Sequence, residues 1–159
     1  MCMKSRIGIA VILLMIAGTA TTQAVTGGHG EKLTASQTTG IKSGQVIQVS
    51  GSGFDETVGI YVEMCQIVSK NVLPTVCGGG VNMSGKGAAS FWISSNPPSY
   101  GKNLAIPFKK GGTFSVGLQV QPKIGKVDCR VAKCAIYVRA DHTRTQDRSH
   151  DIELPISFK

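Results

Sequence analysis

Cys129 and Cys134 stand with four residues between them in GKVDCRVAKCAIYVRA, close to the end of the chain. That spacing constrains the fold more than any other feature. It suits a tight turn bridged at its ends, because disulfide Cα atoms lie about 4.4–6.8 Å apart, the spacing of facing residues in an antiparallel pair. After a polar loop the chain returns as Ile152, Leu154, Ile156 and Phe158, one apolar residue in two. This period marks a half-buried strand with one face on a core. Pro155 cannot donate to a ladder, so the closing strand is expected at a sheet edge or at a bulge.

The N-terminus reads as a targeting segment over residues 1–24. Lys4 and Arg6 precede an uncharged apolar run from Ile7 to Ala17, and Thr22-Gln23-Ala24 ends on a small residue. The run is short for a membrane span, so cleavage and export are expected, with a retained membrane anchor as the alternative. Removing 24 of 159 residues leaves 135, and the net charge falls from +8 to +6 with Lys4 and Arg6. That is the size of one domain. Cys65, Cys77, Cys129 and Cys134 remain, an even count that reads as disulfide-bonded in an exported chain. Four cysteines allow three pairings. The two local ones would close short loops, each contributing about 2–3 kcal/mol on chain-entropy grounds. A four-cysteine zinc site is the competing reading, but neither pair has C-x2-C spacing.

The rest of the chain reads as all-β. Residues 25–32 form a Gly-rich, flexible lead-in, and residues 33–159 a β-sandwich domain. Strands are expected over Leu33–Thr38, Gln45–Ser50, Val58–Val68 and Ala88–Ser94 and through Phe114, Val116, Leu118 and Val120. Ser94–Gly112 is a long polar connection. In the longest strand Ile60, Val62 and Met64 share one face, and Tyr61, Glu63, Cys65 and Ile67 the other. The face with Glu63 is the wetter one, so Cys65 is expected to point away from the sandwich interior.

Catalysis has little support in the sequence. No nucleophile has a recognisable setting, and neither Gly-x-Ser-x-Gly nor His-Glu-x-x-His occurs. Asp141, His142, Asp147, His150 and Asp151 crowd one loop, but their spacing matches no metal-ligand pattern, and Arg144 and Arg148 are there to neutralise the acids. No metal and no resident cofactor are expected. Between Glu63 and Asp128 there are seven lysines and no acid. Lys102, Lys109, Lys110 and Lys123 are the candidate basic patch for DNA, anionic lipid or an acidic polymer, against scattered lysines that only aid solubility. Few aromatics are available to stack on bases, which argues against sequence-specific recognition.

The chain from about Leu33 to Lys159 resembles the neocarzinostatin family of apoproteins. The resemblance is carried by TTGIKSGQVIQVSGSGF, the strand running to MCQIV, NVLPTVC, and GKVDCRVAKC with its closing ISF. It implies an immunoglobulin-like sandwich of seven antiparallel strands and the pairings Cys65–Cys77 and Cys129–Cys134. It also implies a monomer with a cleft beside one sheet, in which relatives hold an apolar enediyne chromophore that cleaves DNA. On this resemblance the cleft residues are Glu63, Cys65, Ile67, Cys77, Ala135, Tyr137 and Arg139. Three of them depart from the relatives' pattern. Ile67 replaces an aromatic, Ala135 a polar side chain and Arg139 a small hydroxyl. Gly78-Gly79-Gly80-Val81 stands where relatives have another aromatic. The expected function is therefore a non-enzymatic, exported binding protein for a small apolar or amphiphilic ligand. The alternatives are a cell-surface or wall interaction domain without a ligand, and an antibiotic apoprotein with an enediyne-type chromophore.

Overall fold

The computed structural model describes residues 22–78 and 89–159. Most of the targeting segment, together with Gly79, Gly80, Val81 and Lys86, lies outside the described residues. Among those described, ten strands run in chain order. They are β1 (Gln23–Thr26), β2 (Lys32–Ala35), β3 (Val46–Ser52), β4 (Ile60–Gln66), β5 (Ser90–Ile93), β6 (Phe114–Gln119), β7 (Lys123–Ile124), β8 (Val127–Asp128), β9 (Cys134–Ala140) and β10 (Ile152–Ile156). Two four-stranded sheets have the orders β1-β2-β3-β6 and β10-β9-β4-β5, and β7-β8 is a small ribbon. Every strand pair is antiparallel.

The period of two places the core. Ile47 and Val49 of β3 and Phe114, Val116 and Leu118 of β6 point inward from the first sheet. Ile60, Val62 and Met64 of β4, Cys134, Ile136 and Val138 of β9, and Ile152, Leu154 and Ile156 of β10 meet them from the second. Burying a Val, Leu or Ile side chain contributes about 1.5–3 kcal/mol, so this two-faced layer holds the sheets together. Gly51 has no side chain because the rings of Phe54 and Phe114 fill the space a Cβ would need.

Both disulfides are local, Cys65–Cys77 and Cys129–Cys134. β10 is the edge strand that Pro155 requires, with Pro155 opposite Ala135. The architecture departs from the sequence reading in strand number. The two main sheets contain eight strands where seven were expected. The difference involves the stretch read as a loose lead-in. Its first residues belong to β1, which pairs with β2 from Gln23↔Ala35 to Thr26↔Lys32. Gly27 N donates to Glu31 O at 2.7 Å, and Gly30 takes the left-handed φ of 91° that this turn needs. The long connection after Ser94 is also tied down. Ile106 bridges to Ile93, Phe108 enters the core, and Ser99–Gly101 makes one 3-10 turn. Among the described residues no helix is long and apolar enough to cross a membrane.

Candidate functional site

The second sheet has a face turned away from the core, and its register sorts the side chains there into three rows. Facing residues in an antiparallel ladder point to the same side. The first row is Pro155, Ala135 and Cys65, and the second is Glu153, Tyr137, Glu63 and Ser90. The third is Arg139, Tyr61 and Trp92. Glu63, Cys65, Ala135, Tyr137 and Arg139 thus share one face, with their chain neighbours Met64, Ile136 and Val138 in the core behind them.

The first row is closed by the disulfide. β9 occupies one edge of β4 along its length, so Cys77 approaches the other, beyond the end of β5. Gln66 N donates to Val76 O at 2.9 Å, and Gly78 N to Met64 O at 2.7 Å. Cys65 and Cys77 therefore face each other as a non-hydrogen-bonded pair, with Cα atoms 4.0 Å apart. Ile67, beyond the strand end, donates its N–H to Lys133 O and is half-buried.

The second and third rows are joined by charge. Arg139 Nε donates to Glu63 Oε1 at 2.9 Å, and the guanidinium carbon lies 5.1 Å from the centre of the Tyr61 ring. Burial pushes the Glu63 carboxyl above the usual carboxylate range, and the Arg139 charge pulls part of that back. Tyr137 donates its hydroxyl to Asp151 Oδ2 at 2.9 Å, and Arg148 pairs with the same oxygen at 3.1 Å. Burial, then the Asp151 hydrogen bond, drive the Tyr137 phenol well above its ordinary value. The hydroxyl of Tyr137, a cleft residue on the resemblance, is thus engaged by the protein.

The rows are largely covered. Cys65 and Ala135 are 0% exposed, Tyr137 2% and Glu63 5%, while Cys77 and Arg139 are half-buried. Two concavities lie beside this face. One of about 290 Å³ is lined by Ser94, Asn96, Lys102 and Pro107 next to β5, and one of about 480 Å³ by Lys42, Gln45 and Lys159 at the β2–β3 turn.

The third row extends into a cluster that the sequence reading did not assemble. His142 sits between two phenols, Nδ1 at 2.5 Å from the Tyr61 hydroxyl and Nε2 at 2.6 Å from that of Tyr100. Trp92 meets the imidazole edge-on at 5.0 Å and donates Nε1–H to Asp141 Oδ2 at 2.8 Å. Gly101 lies flat on the Trp92 ring, with no room for a Cβ. Only the shared face of Tyr61 and Glu63 was readable beforehand. Meeting Tyr100 depends on the path of the long connection, which has no periodicity.

The acid- and histidine-rich loop does not converge as a whole on one point. Asp141 and His142 serve the aromatic cluster, Asp151 joins Tyr137 and Arg148, His150 reaches Glu31, and Asp147 faces His150. Among the described residues, Glu63, Cys65 and Cys77 bring ligand-type atoms closest together, but both sulfurs are bonded to each other. The four candidate lysines are exposed and come from three segments of the chain. Lys102 follows the 3-10 turn, and Lys109 and Lys110 occupy the turn closed by the Lys109–Thr113 bridge. Lys123 faces Asp128 across the β7-β8 ribbon.

A two-layer antiparallel sandwich with two local disulfides and a polar outer face defines a disulfide-stabilised, immunoglobulin-like β-domain. The chain belongs to the neocarzinostatin family, whose model matches residues 33–158. Among solved structures it is similar to macromomycin, with 18% identity and a TM-score of 0.52 over 82% of this chain and 100% of that one. At that identity the likeness shows the fold. No curated protein matches the sequence.

Proposed function

We propose that this protein is an exported, non-enzymatic binding protein that takes a small apolar or amphiphilic molecule against the outer face of β10-β9-β4-β5. One observation carries the reading. A Glu63–Arg139 ion pair with side chains only 7% and 17% exposed sits in the middle of a sheet face that is not the core. A buried pair is a poor device for stability, since apolar side chains of like volume hold a fold equally well. It is a good device for orienting the polar end of a ligand. Arg139 commits Nε to Glu63, and a guanidinium has further donors to offer. The half-buried Tyr61 ring supplies an apolar wall beside the pair. The enediyne chromophore implied by the resemblance fits this face less well, because Ile67 stands where a stacking ring is needed.

Native mass spectrometry of protein purified from its own host tests whether a small molecule travels with it. With purified protein, an anionic amphiphile such as a fatty acid is expected to bind more tightly than a neutral naphthoate ester. Arg139→Ala should weaken the fatty acid by about 1–3 kcal/mol. Equal affinity for both probes, or no effect of the substitution, would overturn the reading. The closure of the first row, with Cys65 and Ala135 fully buried, favours a second reading, a surface or wall interaction domain without a ligand. No co-purifying mass and no binding of either probe would put that reading first.

A further inference from the structure

The turn between β1 and β2 meets the loop between β9 and β10, and metal-ligating side chains of both segments gather there. The ring centroids of His29 and His150 are 5.2 Å apart. His150 Nδ1 lies 3.3 Å from Glu31 Oε1, and its Nε2 lies 3.9 Å from Asp147 Oδ2. Glu31 is only 1% exposed, and its second oxygen accepts His29 N–H at 2.9 Å. Asp147 is held from one side. Its Oδ1 accepts from Ser149 N at 3.0 Å and Ser149 Oγ at 2.6 Å, which leaves Oδ2 towards the imidazole.

We propose that His29, His150 and Asp147 form a site for a divalent transition-metal ion of the zinc type, with Glu31 orienting His150 from behind. A metal-bound imidazole characteristically donates its other N–H to a carboxylate, which fixes the tautomer and the ring orientation. Buried Glu31 occupies that position at Nδ1, so Nε2 is the nitrogen left for a metal. Tetrahedral zinc with bonds of about 2.0–2.1 Å places its ligand atoms about 3.3 Å apart. The 3.9 Å between His150 Nε2 and Asp147 Oδ2 closes to that with a small side-chain rotation. His29 is exposed on the turn with its ring centroid 5.2 Å from that of His150, and a rotation of its side chain is needed to bring a ring nitrogen to the same point. Two imidazoles and a carboxylate suit zinc, copper or nickel rather than calcium, and water completes the shell. The site uses none of the side chains of the outer sheet face and does not depend on a ligand there. An ion bound here would tie the N-terminal hairpin to the β9–β10 loop.

The test is calorimetric titration of the full chain, disulfides intact, with zinc chloride at neutral pH. One ion per chain is expected, with a rise in melting temperature as zinc is added. His29→Ala, His150→Ala and Asp147→Asn should each lower the affinity at least about tenfold. Glu31→Gln keeps the shape and should lower it about 10–100-fold. His142→Ala, in the aromatic cluster, should leave binding unchanged. Should Glu31→Gln fail to fold, the exposed His29 and half-buried Asp147 variants still decide. Cobalt as a spectroscopic substitute should show no thiolate charge-transfer band, since the proposed ligands carry no sulfur. The proposal is overturned if the unmodified chain gives no saturable binding, or if binding survives His29→Ala and His150→Ala unchanged.

Discussion

Glu63 and Arg139 show how one residue pair makes stability depend on pH. The Glu63 carboxyl is raised by burial, with Arg139 offsetting only part of that. A folded-state value above the unfolded one means that stability from this group is complete below the ordinary carboxylate range. It is lost as pH rises through the raised value. Removing Arg139 leaves the carboxylate buried without a counter-charge, so its ionisation becomes costlier still. Arg139→Ala should therefore destabilise by about 3 kcal/mol at pH 8, where Glu63 must ionise in a poor environment. Near pH 4 the cost should shrink to about 1 kcal/mol, mostly lost contact with Tyr61. Urea unfolding at the two pH values checks this, and a cost that does not change with pH would mean that Glu63 is neutral in both. Asp128 behaves in the opposite sense. Its hydrogen bonds from the exposed Arg130 lower it to about 2, and it stays ionised throughout this range.

At the scale of elements, the reading of the sequence succeeded where the period of two was long enough to register. The alternations through Ile60–Met64 and Ile152–Phe158 placed the core faces of β4 and β10, and Pro155 placed β10 at an edge. β1 was missed because QAVT is short and abuts an apolar leader that obscures its pattern. The two-residue strands β7 and β8 are too short for any period. On the outer face, the common side of Glu63 and Cys65 followed from strand geometry, and Ala135, Tyr137 and Arg139 from the resemblance. The partners Tyr100, Asp151 and Glu31 come from loops, and no local pattern announces where a loop will lie. The disulfides bear on the same elements. Cys65–Cys77 spans 12 positions and Cys129–Cys134 five. By loop entropy, replacing the first pair with Ser should cost about 3 kcal/mol and the second about 2 kcal/mol. Denaturant unfolding of the two double variants gives the order. A larger loss from the second pair would mean that it does more than close a loop, by seating the start of β9 in the core.

For the molecule as a whole, the +8 charge invites an anionic partner, and the four candidate lysines come from three separate segments of the chain. Lys102 follows the 3-10 turn, Lys109 and Lys110 share a turn, and Lys123 lies in β7, where it faces Asp128 across the ribbon. Duplex DNA binding falls with salt in proportion to the number of phosphates neutralised, with a slope of about −0.9 per contact. If Lys102, Lys109 and Lys110 make three contacts, affinity should drop about 40-fold between 50 and 200 mM salt. Lys109→Gln with Lys110→Gln should flatten the slope by about 2, whereas Lys123→Gln should leave it unchanged. Fluorescence anisotropy with a short duplex across that salt range measures all three. A Lys123 effect equal to the others would mean that the four lysines act as one surface despite their separate segments. No binding even at 50 mM would leave the charge a role in solubility alone.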